Sequence, residues 1–407
     1  MRLRSCVVVI CYHHFYTNSD SDHFYTNFGG DLLPHHQIPP YLKPEIITES
    51  PSSTIQMQLA EHLAEFTRRD WQTVSDPAER IRFALIGLGW FTEGRVIPAI
   101  AESDFCEVST VVSGSSKKAN RVGNEAGAEY RLTYDEFHAG EANERYDAVY
   151  IATPNATHLD FAESAVDFGK AILCEKPMEA TTARAEKVVK ACENAGATLM
   201  VGYRMHTNPA VRRMRELVRE GFVGDPALVE GTMCQNVFET ISPDPNQWRL
   251  DADLAGGSAL IDLGIYPLNT ARFVLDTDPV SAQGTTNSPH EHFSEVDQHV
   301  AFEVEFENGV TSACVASQYA AQRSQFTVVG TEGRLSLEPA FFGESQLTAD
   351  FSVEPVDEVA EEFDYFADCL LSGRDPEPDG HHALVDMRTI EAIYESAERG
   401  NRVSVRM

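Results

Sequence analysis

The sequence predicts an α/β domain built on a parallel sheet, followed by an α+β domain whose sheet is mainly antiparallel. Three observations predict it. Buried-strand patterns alternate with helical ones between residues 80 and 220, as in βαβ units. A glycine turn, Gly87-Leu88-Gly89, separates the first strand from the first helix. Beyond residue 222 the strand-like runs alternate apolar and polar residues, the mark of an antiparallel sheet with one face buried.

In chain order, RFALIGLG (82–89) is a buried strand entering the glycine turn, and VIPAIAES continues as a helix. EVSTVVSG (107–114) is a second strand and KKANRVGNEAG a helix. YDAVYIATPN (146–155) is a strand stopped by a proline, and THLDFAESAVDFG has helical periodicity. KAILCE, TARAEKVVKACENAG and TLMVGYR read as strand, helix and strand. Further on, ALVEGTMCQNV, HVAFEVEFENG, VTSACVASQY, QFTVVGTEG and RLSLEP are strand-like, with hairpin turns expected at Asn308-Gly309 and Glu332-Gly333. Helical patterns at 257–275, 357–372 and 381–399 flank them.

The expected domains are 81–205 for the first and 206–407 for the second, with a lead-in at 57–80. The last helices are free to pack back on the first domain. Residues 1–56 differ from the rest. They repeat HFYTN at 14–18 and 23–27 and are punctuated by Pro34, Pro39, Pro40, Pro44 and Pro51. They read as a disordered extension or an over-long start, with Met57 a candidate beginning.

Composition excludes several classes. The 407 residues hold 63 acidic and 32 basic side chains, a net charge of −31. Such a chain is repelled by nucleic acid and by anionic membrane surfaces, and no apolar run reaches the roughly 18 residues of a membrane span. Eight scattered cysteines without a C-x-x-C pair read as reduced residues. The histidine pairs His13-His14, His35-His36 and His381-His382 lack a metal-ligand spacing, so no metal is expected. A cytoplasmic location and a salt-rich cell fit an acidic chain with 7 lysines against 25 arginines.

The motifs carry chemistry. In Gly87-x-Gly89 the first glycine permits a tight turn and the second lets the backbone approach a pyrophosphate. Thr92 stands at the third glycine position of G-x-G-x-x-G. The second strand ends in SGSSKK, so Ser113, Gly114, Ser115, Ser116 and two lysines stand where an NAD site places a carboxylate. Hydroxyls and ammonium groups suit a 2′-phosphate, which predicts NADP. Lys176 follows the strand 171–174 at the carboxyl edge of the sheet, where ligands bind in open α/β folds. Asp262 and Tyr266 are four apart on one helix face. Ser258 is placed to cap that helix, and Pro267 to kink it after Tyr266.

Together Gly87-x-Gly89, ATPNATH (152–158), EKP (175–177), GYRMH (202–206) and GGSALIDLGIY (256–266) resemble the glucose–fructose oxidoreductase / inositol dehydrogenase (Gfo/Idh/MocA) family over about 82–400. The resemblance implies a Rossmann domain followed by an α+β domain with an open-faced, mainly antiparallel sheet, and a substrate between that sheet and the nicotinamide. It makes Lys176, Asp262 and Tyr266 the catalytic group, with Tyr266 where other members carry histidine. Cofactor contacts are then expected at Gly87, Leu88, Gly89, Trp90, Phe91, Ser113, Gly114, Ser115, Ser116, Lys118, Thr153, Pro154, Asn155, His158, Glu175, Lys176 and Arg204.

Within the family the likeness runs to NADP-dependent sugar dehydrogenases of salt-loving archaea, carried largely by residues 244–269. It implies oxidation of an aldose, D-xylose first, at C1 to the aldonolactone. Other sugars or polyols such as glucose or inositol, a nicotinamide-dependent glycosidase and a non-catalytic nucleotide sensor are the alternatives. Removing the hydroxyl proton falls to Tyr266, with Lys176 favouring its ionised form and Asp262 orienting Lys176 or the substrate, or to Lys176 itself. A homo-oligomer, dimer or tetramer, is expected through the open sheet.

The charge makes a first prediction. Activity and folding should be highest in molar salt, where self-repulsion is screened. A salt series of initial rates tests this, and best function in dilute buffer would contradict it.

Overall fold

The computed structural model describes residues 69–343, 347–348 and 356–406. The readings made for 1–56, for the first part of the 57–80 lead-in, and for Cys6, Cys11 and the first two histidine pairs lie outside the described residues.

Six short strands make the first sheet. They are β1 (Ile81–Ile86), β2 (Cys106–Ser113), β3 (Tyr130–Thr133), β4 (Ala148–Ile151), β5 (Ala171–Glu175) and β6 (Leu199–Gly202). Their spatial order is β3-β2-β1-β4-β5-β6, and every neighbouring pair is parallel. The order reverses between β1 and β4, which opens a crevice at the carboxyl ends of those strands. Helices α1 (Ile97–Ala101), α2 (Ser116–Ala126), α3 (Tyr134–His138), α4 (His158–Asp167) and α5 (Thr182–Ala195) make the crossovers. Strand β3, YRLT, is missed by the sequence reading because four residues between helices carry too little period.

Helix α6 (Pro209–Arg219) leads into the second sheet. Its strands are β7 (Pro226–Asn236), β8 (Pro279–Asn287), β9 (His299–Phe306), β10 (Thr311–Ser317), β11 (Tyr319–Gly330), β12 (Arg334–Leu337), β13 (Leu347–Thr348) and β14 (Val403–Ser404). The order is β13-β12-β11-β7-β10-β9-β8-β14. Both predicted glycine turns close hairpins, β9–β10 and β11–β12. The sheet is mixed, because β7 and β10 run parallel. Parallel neighbours need a long crossover, and this one carries α7 (Ile265–Leu275) across the sheet's inner face. Gly231 of β7 allows that approach, since a Cβ there would lie 2.4 Å from Pro267 Cβ. Along β9, Val300, Phe302, Val304 and Phe306 are buried while the residues between them face outward.

Helices α8 (Glu358–Ser372) and α9 (Gly380–Arg399) close the fold. Helix α8 lies on the parallel sheet. The Phe363 ring sits 5.0 Å from Phe83 of β1 and 5.1 Å from Tyr150 of β4, within a core that includes Leu85, Leu173 and Phe366. The chain entering β1 is tied to the same helix, because Asp368 accepts from the backbone of Thr73 and Val74 at 2.8 and 2.6 Å.

Two local expectations at 257–275 need correction. Ser258 makes no capping bond with its side chain. Asp297, from the loop before β9, accepts from Ser258 N and Leu260 N, each at 2.7 Å. A remote carboxylate thus takes the Leu260 N–H that the Ser258 hydroxyl would have bonded, and the Ser258 N–H as well. The irregularity also precedes Tyr266 instead of following it. Residues Ala259–Gly264 form a π-turn that becomes α-helical at Ile265. A proline ring crowds the carbonyl four residues before it, and a widened turn upstream of Pro267 relieves that contact.

Candidate active site

The glycine turn is built as a dinucleotide needs it. Gly87 has φ +91°, and a Cβ there would meet Ala152 O at 2.5 Å, so no other residue fits the turn. Thr92 departs from the three-glycine pattern without loss, because its buried hydroxyl donates to Gly87 O at 2.7 Å and ties the turn to the helix. Gly89 is the opposite case: a Cβ there meets no protein atom within 4 Å. The space over Gly89 is open to a ligand, and a side chain would fill it. Leu88 is buried, Phe91 packs against the core, and Trp90 stands out at 49% exposure.

At the end of β2 the side chains are hydroxyls. Ser113 Oγ accepts from Ser115 N at 3.3 Å, and Ser115 caps α2 by accepting from Lys118 N. Gly114 lies against the Tyr134 ring, and Ser116 is exposed. Lys118 Nζ lies 3.1 Å from Glu93. No carboxylate ends the strand, in agreement with a 2′-phosphate.

After β4, Thr153 and Asn155 are mostly enclosed, beside half-buried Pro154. Asn155 Nδ2 donates to Ala255 O at 2.8 Å. His158, expected as a cofactor contact, is enclosed in the fold. It is 1% exposed, and its ring nitrogens lie 2.9 Å from Thr153 O and 3.2 Å from Met178 O. Burial pushes its pKa down, so the neutral ring donates to one carbonyl at a time. It braces the loops after β4 and β5 from behind.

Lys176 follows β5, and its peptide bond to Pro177 is cis. Its ammonium donates to Asp262 Oδ1 at 2.8 Å and to Asp262 O at 2.9 Å. The same Nζ lies 4.8 Å from the Tyr266 ring centre. The three residues named from sequence therefore meet, with Lys176 on the parallel-sheet domain and the other two on the crossover of the second sheet. Burial works against both charges of the pair. The attraction of Asp262 outweighs it and raises the Lys176 pKa, while Lys176 and Arg249 bring Asp262 down to about 2.

Arg204 also lies against Tyr266, its guanidinium 5.1 Å from the ring centre and its Nε 3.4 Å from the hydroxyl. Glu358 of α8 pairs with it. Glu175 accepts from Tyr150 OH at 2.8 Å and from Lys176 N at 3.2 Å.

Sequence reading missed four side chains here. Gln318 Nε2 donates to Asp262 Oδ2 at 2.8 Å and accepts on Oε1 from Gln235 at 2.9 Å. Arg249 Nε lies 3.6 Å from Asp262 Oδ2 while its guanidinium sits over Trp248. Asp262 is thus held by Lys176, Gln318 and Arg249 from three segments. Glu362 of α8 is fully enclosed near Glu175, and burial, followed by the Glu175 charge, pushes its pKa well up. Only Arg249 had a signal, since it lies within the 244–269 segment. The two glutamines and Glu362 reach the site through pairing and packing alone. Among the described residues no group of histidine, cysteine or carboxylate side chains could hold a metal ion, the six described cysteines are free, and no helix is long and apolar enough to cross a membrane.

A doubly wound sheet with a glycine turn at its switch point, beside a buried lysine–carboxylate pair, defines a nicotinamide-dependent oxidoreductase. Residues 81–203 match the oxidoreductase family with an NAD-binding Rossmann fold, and residues 211–336 match the GFO/IDH/MocA C-terminal domain. The chain belongs to the GFO/IDH/MocA family of oxidoreductases. It is 47% identical to a D-xylose 1-dehydrogenase [NADP(+)] of Haloarcula marismortui, over 83% of this chain and 97% of that one. It is 31% identical to D-xylose 1-dehydrogenase (NADP(+)) 2 of Haloferax volcanii, over 79% and 99%. Among solved structures, the aldose-aldose oxidoreductase from Caulobacter crescentus complexed with glycerol superposes with a TM-score of 0.75 at 32% identity, covering 80% of this chain and all of that one. Levoglucosan dehydrogenase in complex with NADH and L-sorbose shares the fold, with a TM-score of 0.71 at 21% identity over 81% of this chain and all of that one.

The two glycines make a paired prediction. Gly89→Val should keep a thermal midpoint close to that of the parent and weaken NADP binding more than about tenfold, because its side chain meets only ligand space. Gly87→Val should lower the midpoint itself. Thermal shift with and without NADP separates them, and normal NADP binding by the Gly89 variant would contradict the placement.

Proposed function

We propose that this chain oxidises an aldose, D-xylose being the preferred one, at C1 to the aldonolactone, with hydride transfer to NADP. The observation that carries the proposal is the meeting of Lys176, Asp262 and Tyr266 beside the glycine turn. The two haloarchaeal relatives support the choice of sugar and cofactor.

Gly87, Gly89, the serines after β2, the loop 153–155, Glu175 and Arg204 would hold NADP, which when bound supplies the hydride acceptor. The protein's own work is to take a proton from the C1 hydroxyl. Lys176 is unsuited to be that base, since Asp262 binds its ammonium through two contacts and keeps it charged. A fixed ammonium polarises the C1 hydroxyl and stabilises the negative charge that develops on its oxygen. Tyr266 acts as the base, its ring centre 4.8 Å from the Lys176 ammonium and its hydroxyl 3.4 Å from Arg204 Nε. Asp262 orients Lys176, and Gln318 and Arg249 hold Asp262 still.

Formation of NADPH with a panel of aldoses tests the reaction. D-xylose should show the highest kcat/KM, and Tyr266→Phe should lower kcat by about 10²–10⁴-fold with little change in NADP binding. A panel without turnover, or near-normal turnover by the variant, would sink the assignment.

We further propose a cytoplasmic homo-oligomer formed through the outer face of the second sheet. There Val315 is 46% exposed and Ala301 and Ala313 flank it, a face suited to pairing. Light scattering in molar salt should give a dimer or tetramer mass, and a monomer at micromolar concentration would exclude this.

A further inference from the structure

Lys118, one of the two lysines expected to meet a 2′-phosphate, already has a partner. Glu93, in the π-turn Thr92–Val96 that leaves the glycine turn, lies 3.1 Å from Lys118 Nζ and 2.7 Å from Arg121 Nη2. Lys118 and Arg121 are three apart on α2 and share one face. Arg121 also holds Glu125 at 2.9 Å. Two cations thus face two carboxylates beside the hydroxyl-rich end of β2. A phosphate arriving there meets a competing carboxylate as well as its cations.

The competitor is built to yield. Glu93 keeps 27% of its side chain exposed, Lys118 38% and Arg121 50%. Ion pairs at this exposure contribute little and exchange readily. A phosphate with nearly two negative charges and three acceptor oxygens outbids a single carboxylate for a lysine and an arginine. The ribose 2′-hydroxyl of NAD carries no charge and leaves Glu93 where it is.

We propose that Glu93 is a displaceable counter-ion of the NADP site, holding Lys118 and Arg121 until a 2′-phosphate takes them and so setting how strongly the protein prefers NADP over NAD. Arg121 is then a second phosphate-binding cation beside Lys118. The inference rests on the NADP reading made above, and it adds to that reading a carboxylate that restrains the preference.

Dissociation constants for NADP and NAD, measured by titration calorimetry on the full chain, test it without turnover. In the parent protein NADP should bind more tightly than NAD. Glu93→Gln should tighten NADP about three- to tenfold and change NAD less than about twofold. Arg121→Gln should weaken NADP by a similar factor and leave NAD alone. The Glu93→Gln effect should shrink as salt rises, because the screening length falls from about 10 Å at 0.1 M to about 3 Å at 1 M. A Glu93→Gln protein that binds NADP more weakly, or that shifts both cofactors alike, would overturn the inference by showing that Glu93 only shapes the turn. A parent protein preferring NAD would overturn the cofactor reading itself, whatever the variants do.

Discussion

The ion pair between Lys176 and Asp262 is the interaction on which the site depends. Its members are 86 residues apart and belong to different sheets' surroundings, one at the end of β5 and the other on the crossover from β7 to α7. Both are mostly buried, and a buried pair is stable only when its remaining hydrogen bonds are made. Gln318 and the Asp262 carbonyl make them, and Arg249 adds a second positive charge 3.6 Å from Asp262 Oδ2. Losing either partner would leave a buried charge uncompensated, at a cost of about 3–5 kcal/mol. The Asp262 pKa is depressed from 3.8 to about 2. Its contribution is therefore present above about pH 4 and is lost as pH falls toward 2, so the pair is intact across the neutral range.

The helix bearing Asp262 and Tyr266 is placed by contacts that do not touch Lys176. Asp297 holds its first N–H groups and also accepts from Tyr394 OH of α9 at 2.9 Å. Gly231 lets the helix settle on β7, and Pro267 widens the turn ahead of Tyr266. Helix α8 reaches the same place from the other side, giving Glu358 to Arg204 and Glu362 to the neighbourhood of Glu175. Glu175 and Glu358 crowd the Glu362 carboxyl with like charge, which Arg204 only partly offsets. Burial and that crowding push the Glu362 pKa well up.

Some of the scarce basic residues face inward, where they pair with enclosed carboxylates. Arg272 is buried between Asp278 and Asp386, and Arg374 lies against buried Asp368. Arginine suits such sites because its fork serves two acceptors and keeps its charge. The surface is then left with the excess of acid.

Sequence alone determined the features that depend on local pattern. Alternating strand and helix periods named the parallel sheet, Asn308-Gly309 and Glu332-Gly333 set hairpins, and Gly87-x-Gly89 and Glu175-Lys176-Pro177 marked the carboxyl edge. Each follows from backbone geometry or side-chain period within a few residues. Only the tertiary structure decided what meets across distance. It brought Asp297 to the helix start in place of Ser258, closed His158 away from the surface, set Gln318 and Arg249 on Asp262, and laid Glu93 against Lys118 and Arg121. None of these has a local signature, because a hydrogen bond or ion pair between remote segments depends on sheet register and helix approach. Those are fixed by packing of the whole domain rather than by any short stretch of chain.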